Sequence, residues 1–251
     1  MNDTEHIISH FNIAGSVAEV KPLGNGLIND TFKVTTHGDA PDYVLQRINN
    51  SIFTDVDLLQ HNIDAVTTHI RRKLEAEGAV DIDRKVLQFV VSDTGKSYWQ
   101  DSDGSYWRMS VFIPRAFTHE TVNPEYSYYA GKAFGNFEAM LADMSEELGE
   151  SIPDFHNMEL RRRQLHDALK EDRAGRAAGV KDFVAQLEQY ADEMCRAQQL
   201  HREGRLPKRI CHCDTKVNNM LFDEEGHVLC VIDLDTVMPS LFYSDYGDFL
   251  R

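Results

Sequence analysis

The chain has 251 residues, and its 26 Lys and Arg against 41 Asp and Glu give a formal net charge of −15. This length suits one large domain or two modest ones, and a hydrophobic content of 42% excludes intrinsic disorder. The acidic excess argues against binding to nucleic acid or to anionic membranes. The N-terminus lacks the charged and apolar regions of a signal peptide, and no run approaches the ~20 apolar residues of a membrane span. We therefore expect a soluble, cytoplasmic protein.

Residues 1–115 have the pattern of an antiparallel sheet interrupted by one helix. Strands are indicated by stretches rich in β-branched and aromatic residues between Gly, Pro and Asp. These stretches are 17–20, 29–36, 43–48, 85–91, 97–100 and 105–113. The helix is indicated by apolar residues at helical spacing from Leu59 to Leu74, with Thr54 or Asp55 as its N-cap and Gly78 at its end.

Residues 116–251 are predicted to be mainly helical. Asn123 and Pro124 are typical of a helix start, and an apolar stripe predicts a helix from there to Gly149. A second helix carries the apolar residues of 183–194, and the charged stretch 161–179 before it is expected to be a solvated helix or loop.

Short strands are predicted near the C-terminal end of the chain. They are 209–214 and a hairpin of 220–222 with 228–232. Together these patterns predict an α+β fold with a β-rich lobe at 1–115 and a helical lobe at 116–251. We expect the polar loops to lie where the two lobes meet.

The cysteines do not indicate a metal site. Four cysteines, at positions 195, 211, 213 and 230, are too few for a disulfide scaffold. Cys211 and Cys213 flank His212, but zinc-binding cysteines are usually separated by two or more residues. We expect both side chains to pack as small apolar groups.

Two polar segments carry the residue types that phosphoryl transfer requires. Asp214 follows a short strand, with Lys216 two residues later and Asn219 five residues later, and Asp233 ends the next apolar strand. A carboxylate can accept the proton of the attacking hydroxyl, while an amide oxygen and a second carboxylate can hold Mg²⁺ on the phosphates. Lys216 can neutralise charge on the transferred group. Alone, Asp214 would more often be a turn or cap aspartate.

A glycine-containing stretch before the second predicted strand is a candidate phosphate-binding turn. Gly24, Asn25 and Gly26 would let backbone N–H groups approach a phosphate without a Cβ in the way. A tight hairpin alone could also contain this pattern. The same stretch continues into Asn29 and Thr31, which we include as candidate ATP-binding residues.

The pattern HxDxxxxN followed by a strand-terminal Asp resembles the catalytic and metal loops of the protein-kinase-like superfamily. More narrowly, it resembles the aminoglycoside phosphotransferase and choline kinase branch, which has an Ile-Asp motif as at Ile232-Asp233. The resemblance implies a bilobal fold that uses ATP and Mg²⁺. It also implies that Arg47 on the third strand pairs with the α/β-phosphates, with Gln46 in that place if the register differs by one residue. Phe112 and Ile113 would form the hinge against the adenine.

Several stretches are similar to N-acetylhexosamine 1-kinases, among them GNGLINDTF, IPDFHN, HCDTKVNN and VIDLDTVMP. This resemblance implies phosphorylation of a small-molecule sugar, GlcNAc or GalNAc, at its anomeric hydroxyl. Asp214 and Asp235 would then contact the sugar. The resembling family continues through further helices, so we expect the chain to be a C-terminally truncated fragment.

Two other functions stay open at this point. A kinase of the same fold could act on choline, homoserine or an aminoglycoside, since a net charge of −15 is compatible with cationic acceptors. Alternatively, a truncated chain could bind nucleotide without turnover.

Overall fold

The structure, a computed structural model, describes residues 3–24, 28–121 and 123–250. An antiparallel sheet of five strands has the order β1-β2-β3-β5-β4. Its strands are β1 Val17–Pro22, β2 Asp30–Thr36, β3 Tyr43–Ile48, β4 Tyr98–Gln100 and β5 Tyr106–Val111. Two small antiparallel sheets follow, made of β6 Arg209–Cys211 with β9 Met238–Ser240 and of β7 Met220–Phe222 with β8 Val228–Val231.

The helices lie mainly after the large sheet. They are α1 Asp3–Ile8, α2 Val56–Ala76, α3 Pro124–Leu141, α4 Met158–Glu171, α5 Lys181–Met194, α6 Arg196–Arg202 and α7 Tyr243–Leu250. The predicted α+β fold is confirmed, with an antiparallel sheet in the N-terminal part and a helical C-terminal region. Within the described residues, no helix is both long and apolar enough to cross a membrane.

The large sheet is covered on both faces, and each face has its own apolar core. On one face Tyr43, Leu45 and Met109 pack with residues of α1. On the other face lies α2, which begins at its N-cap Asp55, whose side chain accepts a hydrogen bond from the amide of Leu58. The buried side of α2 shares a core with α3 and with Leu234 and Val237 from the end of the chain. This helix therefore joins the sheet to the C-terminal region.

One predicted strand is wrong. Residues 85–91 form only an isolated bridge, Phe89 to Ser110, beside β5. A 3-10 turn at Ile82–Arg84 precedes this stretch, and the Arg84 guanidinium donates to the carbonyls of Pro114 and Arg115. These contacts leave only a few residues to run along β5, so no regular ladder forms.

The first helix of the C-terminal region, α3, ends at Leu141 rather than at the predicted Gly149. Two side chains of α2, Lys73 and His69, both contact the carbonyl oxygen of Met140 and the carboxylate of Asp143. Since α2 binds the carbonyl at the last turn, the chain leaves the helix there. Apolar residues further along still pack in the α2 core, which explains the longer apolar pattern.

A single buried amide fastens α2 to two segments of the C-terminal region. Asn62 has no exposed surface. Its Nδ2 donates to the carbonyl oxygens of Gly149, at 2.8 Å, and Val237, at 2.9 Å. Its Oδ1 accepts a hydrogen bond from the amide of Gly149 at 3.2 Å. The side chain thus satisfies three backbone groups, of which the Val237 carbonyl is buried and the two of Gly149 are partly buried.

We predict that Asn62→Ala lowers the free energy of unfolding by about 2–4 kcal/mol, because buried backbone groups lose their partners. Chemical denaturation measures this change. The control is Asn50→Ala, since Asn50 is exposed and donates to one carbonyl, that of Gly104. The control should change stability by less than about 0.5 kcal/mol. Equal effects of the two substitutions would contradict this role of Asn62.

Candidate functional site

The loop after β6, residues 212–219, brings three of the candidate catalytic side chains together. We call it the polar loop. The Lys216 ammonium lies 2.7 Å from Oδ2 of Asp214. Nδ2 of Asn219 donates to the same oxygen at 2.9 Å and to the Asp214 carbonyl at 2.8 Å. The amide of Asn219 therefore faces Asp214, and its Oδ1 is the atom left to ligate a metal ion.

A buried imidazole connects the polar loop to the strand that precedes Asp233. His212 has no exposed surface. Its Nε2 lies 2.9 Å from the carbonyl oxygen of Ile232, and its Nδ1 accepts a hydrogen bond from the amide of Asp214 at 3.3 Å. A ring that donates from Nε2 and accepts at Nδ1 is the neutral tautomer. The amide of Ile232 also donates to the carbonyl of Asn219 at 2.9 Å.

These contacts place Asp233 directly beside the polar loop. Residues 233–235, which we call the metal segment, begin with Asp233 in the left-handed region, at φ 58°. Asp233 is an exposed residue, yet the protein atoms packed near its carboxylate raise its pKa and the nearby Asp235 raises that pKa further. Such a site favours a cation. Oδ1 of Asn219 and the Asp233 carboxylate are oxygen donors of the kind that Mg²⁺ takes, so the residues present fit the ion.

Asp235 lies in a buried contact and does not line an open pocket. Only 4% of its side chain is exposed. Its Oδ1 lies 2.5 Å from Nη1 of Arg108, and its Oδ2 accepts a hydrogen bond from Nδ2 of Asn29 at 2.7 Å. The expected sugar contact of Asp235 therefore has no support in this geometry.

The large sheet presents Gln46, not Arg47, to α2. Arg47 pairs across the sheet with Asp30 and Trp107, on the face that carries Tyr43 and Leu45. Its side chain is half exposed and lies 2.8 Å from Asp30. The structure thus separates Arg47 from the polar loop, and the alternative register residue, Gln46, occupies the α2 face.

A cross-strand row on this α2 face contains a cation that the sequence analysis missed. Thr31, Gln46 and Arg108 are register partners on β2, β3 and β5. Nε2 of Gln46 donates to Oγ1 of Thr31, and Nε of Arg108 donates to Oε1 of Gln46. The sequence analysis overlooked Arg108 because its strand looks apolar. Strict alternation along the strand places its side chain on the other face of the sheet from Trp107 and Met109. A charged residue at that position was the available signal.

The remaining nucleotide candidates lie in the segments before β2 and after β5. Gly24 has φ +70° with open space at its Cβ position, whereas Asn25 and Gly26 fall outside the described residues. Ile113 is buried, and the amide of Phe112 donates to the carbonyl of Asp42. A base edge at this hinge would therefore have to meet a group other than the Phe112 N–H.

Side chains of α7 bind the backbone of the polar loop. The Asp245 carboxylate accepts hydrogen bonds from the amides of His212, at 2.7 Å, and Cys213, at 2.9 Å. Oδ2 of Asp248 accepts from the amide of Thr215 at 2.7 Å. Cys213 has φ 65°, a conformation that ends β6 early and turns the chain towards Asp214. The Cys213 thiol is free and buried, as expected for apolar packing.

A second carboxyl group, Glu138 of α3, faces Asp245. One ligand atom each of Glu138, Asp245 and Cys211 lie within 4.8 Å of one another. Burial and the Asp245 charge raise the pKa of Glu138 to about 7. Burial also raises the pKa of Asp245, although the two amides of the polar loop oppose this. Glu138 is therefore the carboxyl group of the pair that takes up a proton as the pH falls through about 7, and in that form it can donate a hydrogen bond to Asp245. No motif in the sequence indicated this pair.

Comparison with known proteins gives a consistent result. A family model described as "Phosphotransferase enzyme family" matches residues 19–251. A solved spectinomycin phosphotransferase, in complex with ADP and spectinomycin, has a TM-score of 0.61 and 13% identity over 96% of this chain and 70% of its own. Choline kinase LicA from Streptococcus pneumoniae has a TM-score of 0.52 and 16% identity over 98% of this chain and 72% of its own. A ternary streptomycin–ATP–APH(2″)-IIa complex has a TM-score of 0.53 and 15% identity, covering 98% and 74%. These similarities show a shared fold.

We predict that Glu138→Gln changes the pH dependence of stability. With a folded pKa of about 7 against an ordinary value of 4.5, Glu138 adds stability at low pH that is lost as the pH rises through about 7. The variant keeps a hydrogen-bond donor to Asp245 but does not ionise. The thermal midpoint of the variant minus that of wild type should therefore be about 3–6 °C larger at pH 8 than at pH 5. This value is reduced for the partial solvent exposure of Glu138.

The control for this measurement is Glu193→Gln, an exposed glutamate of α5 outside the cluster. A midpoint difference that stays constant from pH 5 to pH 8 for Glu138→Gln would exclude the raised pKa of Glu138.

Proposed function

The chain belongs to the phosphotransferase enzyme family, and we propose that it transfers the terminal phosphoryl group of ATP to the anomeric hydroxyl of an N-acetylhexosamine. The products would be the sugar 1-phosphate and ADP. The observation that carries the proposal is the contact of Asp214 with Asn219, beside which the His212 ring and the Asn219–Ile232 backbone bond hold the strand end that precedes Asp233.

In the proposed reaction Asp214 is the general base. Its carboxylate accepts the proton of the sugar hydroxyl as that oxygen forms a bond to the γ-phosphorus. The bond between the γ-phosphorus and the oxygen bridging to the β-phosphate breaks, and its electron pair leaves with ADP. Lys216, 2.7 Å from Asp214, orients the carboxylate and neutralises charge on the transferred group. An anomeric hydroxyl is more acidic than an ordinary alcohol, so one carboxylate is a sufficient base.

Oδ1 of Asn219 and the Asp233 carboxylate would hold Mg²⁺. When bound, the ion would neutralise the charge of the nucleotide phosphates. Gly24 and the segment that follows it would receive those phosphates, with Thr31 on the neighbouring sheet face. Phe112 and Ile113 would border the adenine. Solved relatives of this fold are complexes with ADP and with ATP, which supports a nucleotide in the same place here.

The choice of acceptor rests on sequence resemblance. The stretches around Asp214 and Asp233 are similar to those of N-acetylhexosamine 1-kinases. By their names, the solved structures that share the fold act on choline or carry aminoglycosides. An acceptor other than a sugar would keep the same base and metal residues, because any hydroxyl acceptor has a proton for Asp214 to accept and the metal residues act on the phosphates.

We predict that Asp214→Asn lowers kcat by about 10²–10⁴, the usual contribution of a general base, while the affinity for Mg·ADP changes little. Initial rates of ADP formation and calorimetry measure the two quantities. The control is Asp192→Asn, since Asp192 is exposed on α5 away from the polar loop. Turnover of Asp214→Asn within tenfold of wild type would remove Asp214 from this role.

We further predict that GlcNAc or GalNAc supports ATP-dependent formation of the 1-phosphate, and that 1-O-methyl glycosides of the same sugars do not, because their anomeric oxygen carries no proton. Phosphorus NMR of the product identifies the phosphorylated position. Turnover on choline, homoserine or an aminoglycoside but on neither sugar would contradict the proposed sugar acceptor and would support the phosphotransferase activity. ADP binding without turnover on any acceptor would reduce the chain to a nucleotide-binding module.

A further inference from the structure

The strongest unexplained feature is a buried positive charge between the sheet and the metal segment. Arg108 lies on β5, and its side chain is only 3% exposed. Arginine is almost never fully buried unless it is paired, so its partners must compensate for the lost hydration. Neither the polar loop nor the proposed reaction uses this residue.

The guanidinium contacts three elements at once. Its Nε donates to Oε1 of Gln46 on β3 at 3.0 Å, and Nη1 donates to Oε1 of Gln60 on α2 at 3.2 Å. The same Nη1 lies 2.5 Å from Oδ1 of Asp235. The strand-to-helix contact between β3 and α2 thus consists of two neutral amides bridged by a cation from the neighbouring strand.

Arg108 cannot itself touch a bound phosphate in this arrangement. Both it and Asp235 are almost completely buried, and separating such a pair would leave an unpaired buried charge. Any effect of Arg108 on a ligand must therefore pass through its partners, of which Asp235 belongs to the metal segment.

Asp235 transmits this constraint to the proposed phosphate site. Its Oδ2 accepts a hydrogen bond from Nδ2 of Asn29, and its backbone carbonyl accepts one from Ser151. Oδ1 of Asn29 in turn accepts a hydrogen bond from the amide of Asn49 at 2.9 Å. Asn29 thus stands at the end of the glycine-containing stretch, and Asp235 lies two residues after Asp233. One buried ion pair therefore connects both halves of the proposed nucleotide site.

We propose that Arg108 is a positioning residue of the nucleotide site. It fixes the Asp235 carboxylate and, through Asp235, holds Asn29 and the metal segment in one arrangement that receives the Mg²⁺–nucleotide complex. The proposal rests on the proposed nucleotide binding but not on the identity of the acceptor.

The first test separates positioning from plain stabilisation. Arg108→Met alone leaves the buried Asp235 carboxylate without its cation and should lower the thermal midpoint by roughly 10 °C. The neutral pair Arg108→Met with Asp235→Asn should recover most of that loss, because replacing both charges costs far less than breaking the pair. Calorimetry should nevertheless show at least tenfold weaker Mg·ADP binding in the neutral pair than in wild type. If affinity returns together with stability, Arg108 is only structural and the proposal is overturned.

The matched control is the neutral pair Arg202→Met with Glu159→Gln. Arg202 lies on α6, and its guanidinium is 2.7 Å from the carboxylate of Glu159 on α4. Neither residue belongs to the proposed nucleotide site, so Mg·ADP affinity should stay within twofold of wild type. An equal loss of affinity in the control would contradict a specific role of Arg108.

A second measurement needs no ligand, so it distinguishes this proposal from the proposed function. The Asn49 amide hydrogen bonds to Asn29, and its hydrogen exchange reports whether Asn29 stays in place. We expect at least tenfold faster exchange at Asn49 in the Arg108–Asp235 neutral pair than in wild type at matched stability. An unchanged rate would overturn the proposal even if wild type binds Mg·ADP. Suppose exchange at Asn49 is faster in the neutral pair but wild type does not bind Mg·ADP. That result would overturn the proposed function, while it would support the role of Arg108 in holding Asn29 in place.

Discussion

The candidate site depends on one buried imidazole. His212 binds the amide of Asp214 through one ring nitrogen and the carbonyl of Ile232 through the other. Two segments that lie about twenty residues apart in the chain, one with Asp214 and the other leading into Asp233, are thereby held against each other. Burial without exposed surface makes the arrangement rigid, since an unpaired ring nitrogen there would cost free energy. Asp245 adds a second constraint by accepting both amides at the turn of the polar loop.

The sheet and the C-terminal region are connected by a few buried polar contacts in addition to the apolar core. Asn62 bonds α2 to two backbone segments, and Asn29 bonds to Asp235 beside the metal segment. Polar contacts of this kind specify one relative arrangement, because a shift of about an ångström breaks them, whereas apolar packing tolerates small displacements. The chemistry of phosphoryl transfer depends mainly on positioning, so such contacts matter for function as well as for stability.

Local patterns in the sequence were sufficient where the local chain decides the structure. Strand β3 was predicted with its observed bounds, 43–48, because alternation and flanking breakers define it, and the N-cap Asp55 marked the start of α2. The polar loop and Asp233 were selected by the spacing of their residue types and by family resemblance, and their catalytic roles stay a prediction. Prediction failed where a distant partner decides. Side chains of α2 contact the last turn of α3, where that helix ends. The stretch 85–91 does not form the predicted strand, and Arg84, just before it, binds a carbonyl beyond β5.

The same reason explains what the sequence concealed in the site. Whether Arg47 or Gln46 faces α2 depends on strand register, which one residue of uncertainty reverses. Asp235 was expected to contact the sugar from family resemblance, and its ion pair with Arg108 could not be foreseen because Arg108 lies 127 positions earlier in a strand that looks apolar. The raised pKa of Glu138 likewise depends on a distant partner, because Asp245 of α7 packs against Glu138 of α3.

The most direct test of the central claim is a crystal structure with Mg²⁺ and a non-hydrolysable ATP analogue. The account predicts one ion ligated by Oδ1 of Asn219 and the Asp233 carboxylate at about 2.1 Å, with the Asp214 carboxylate beside the terminal phosphate. An ion held elsewhere, or a terminal phosphate bound out of reach of Asp214, would contradict it.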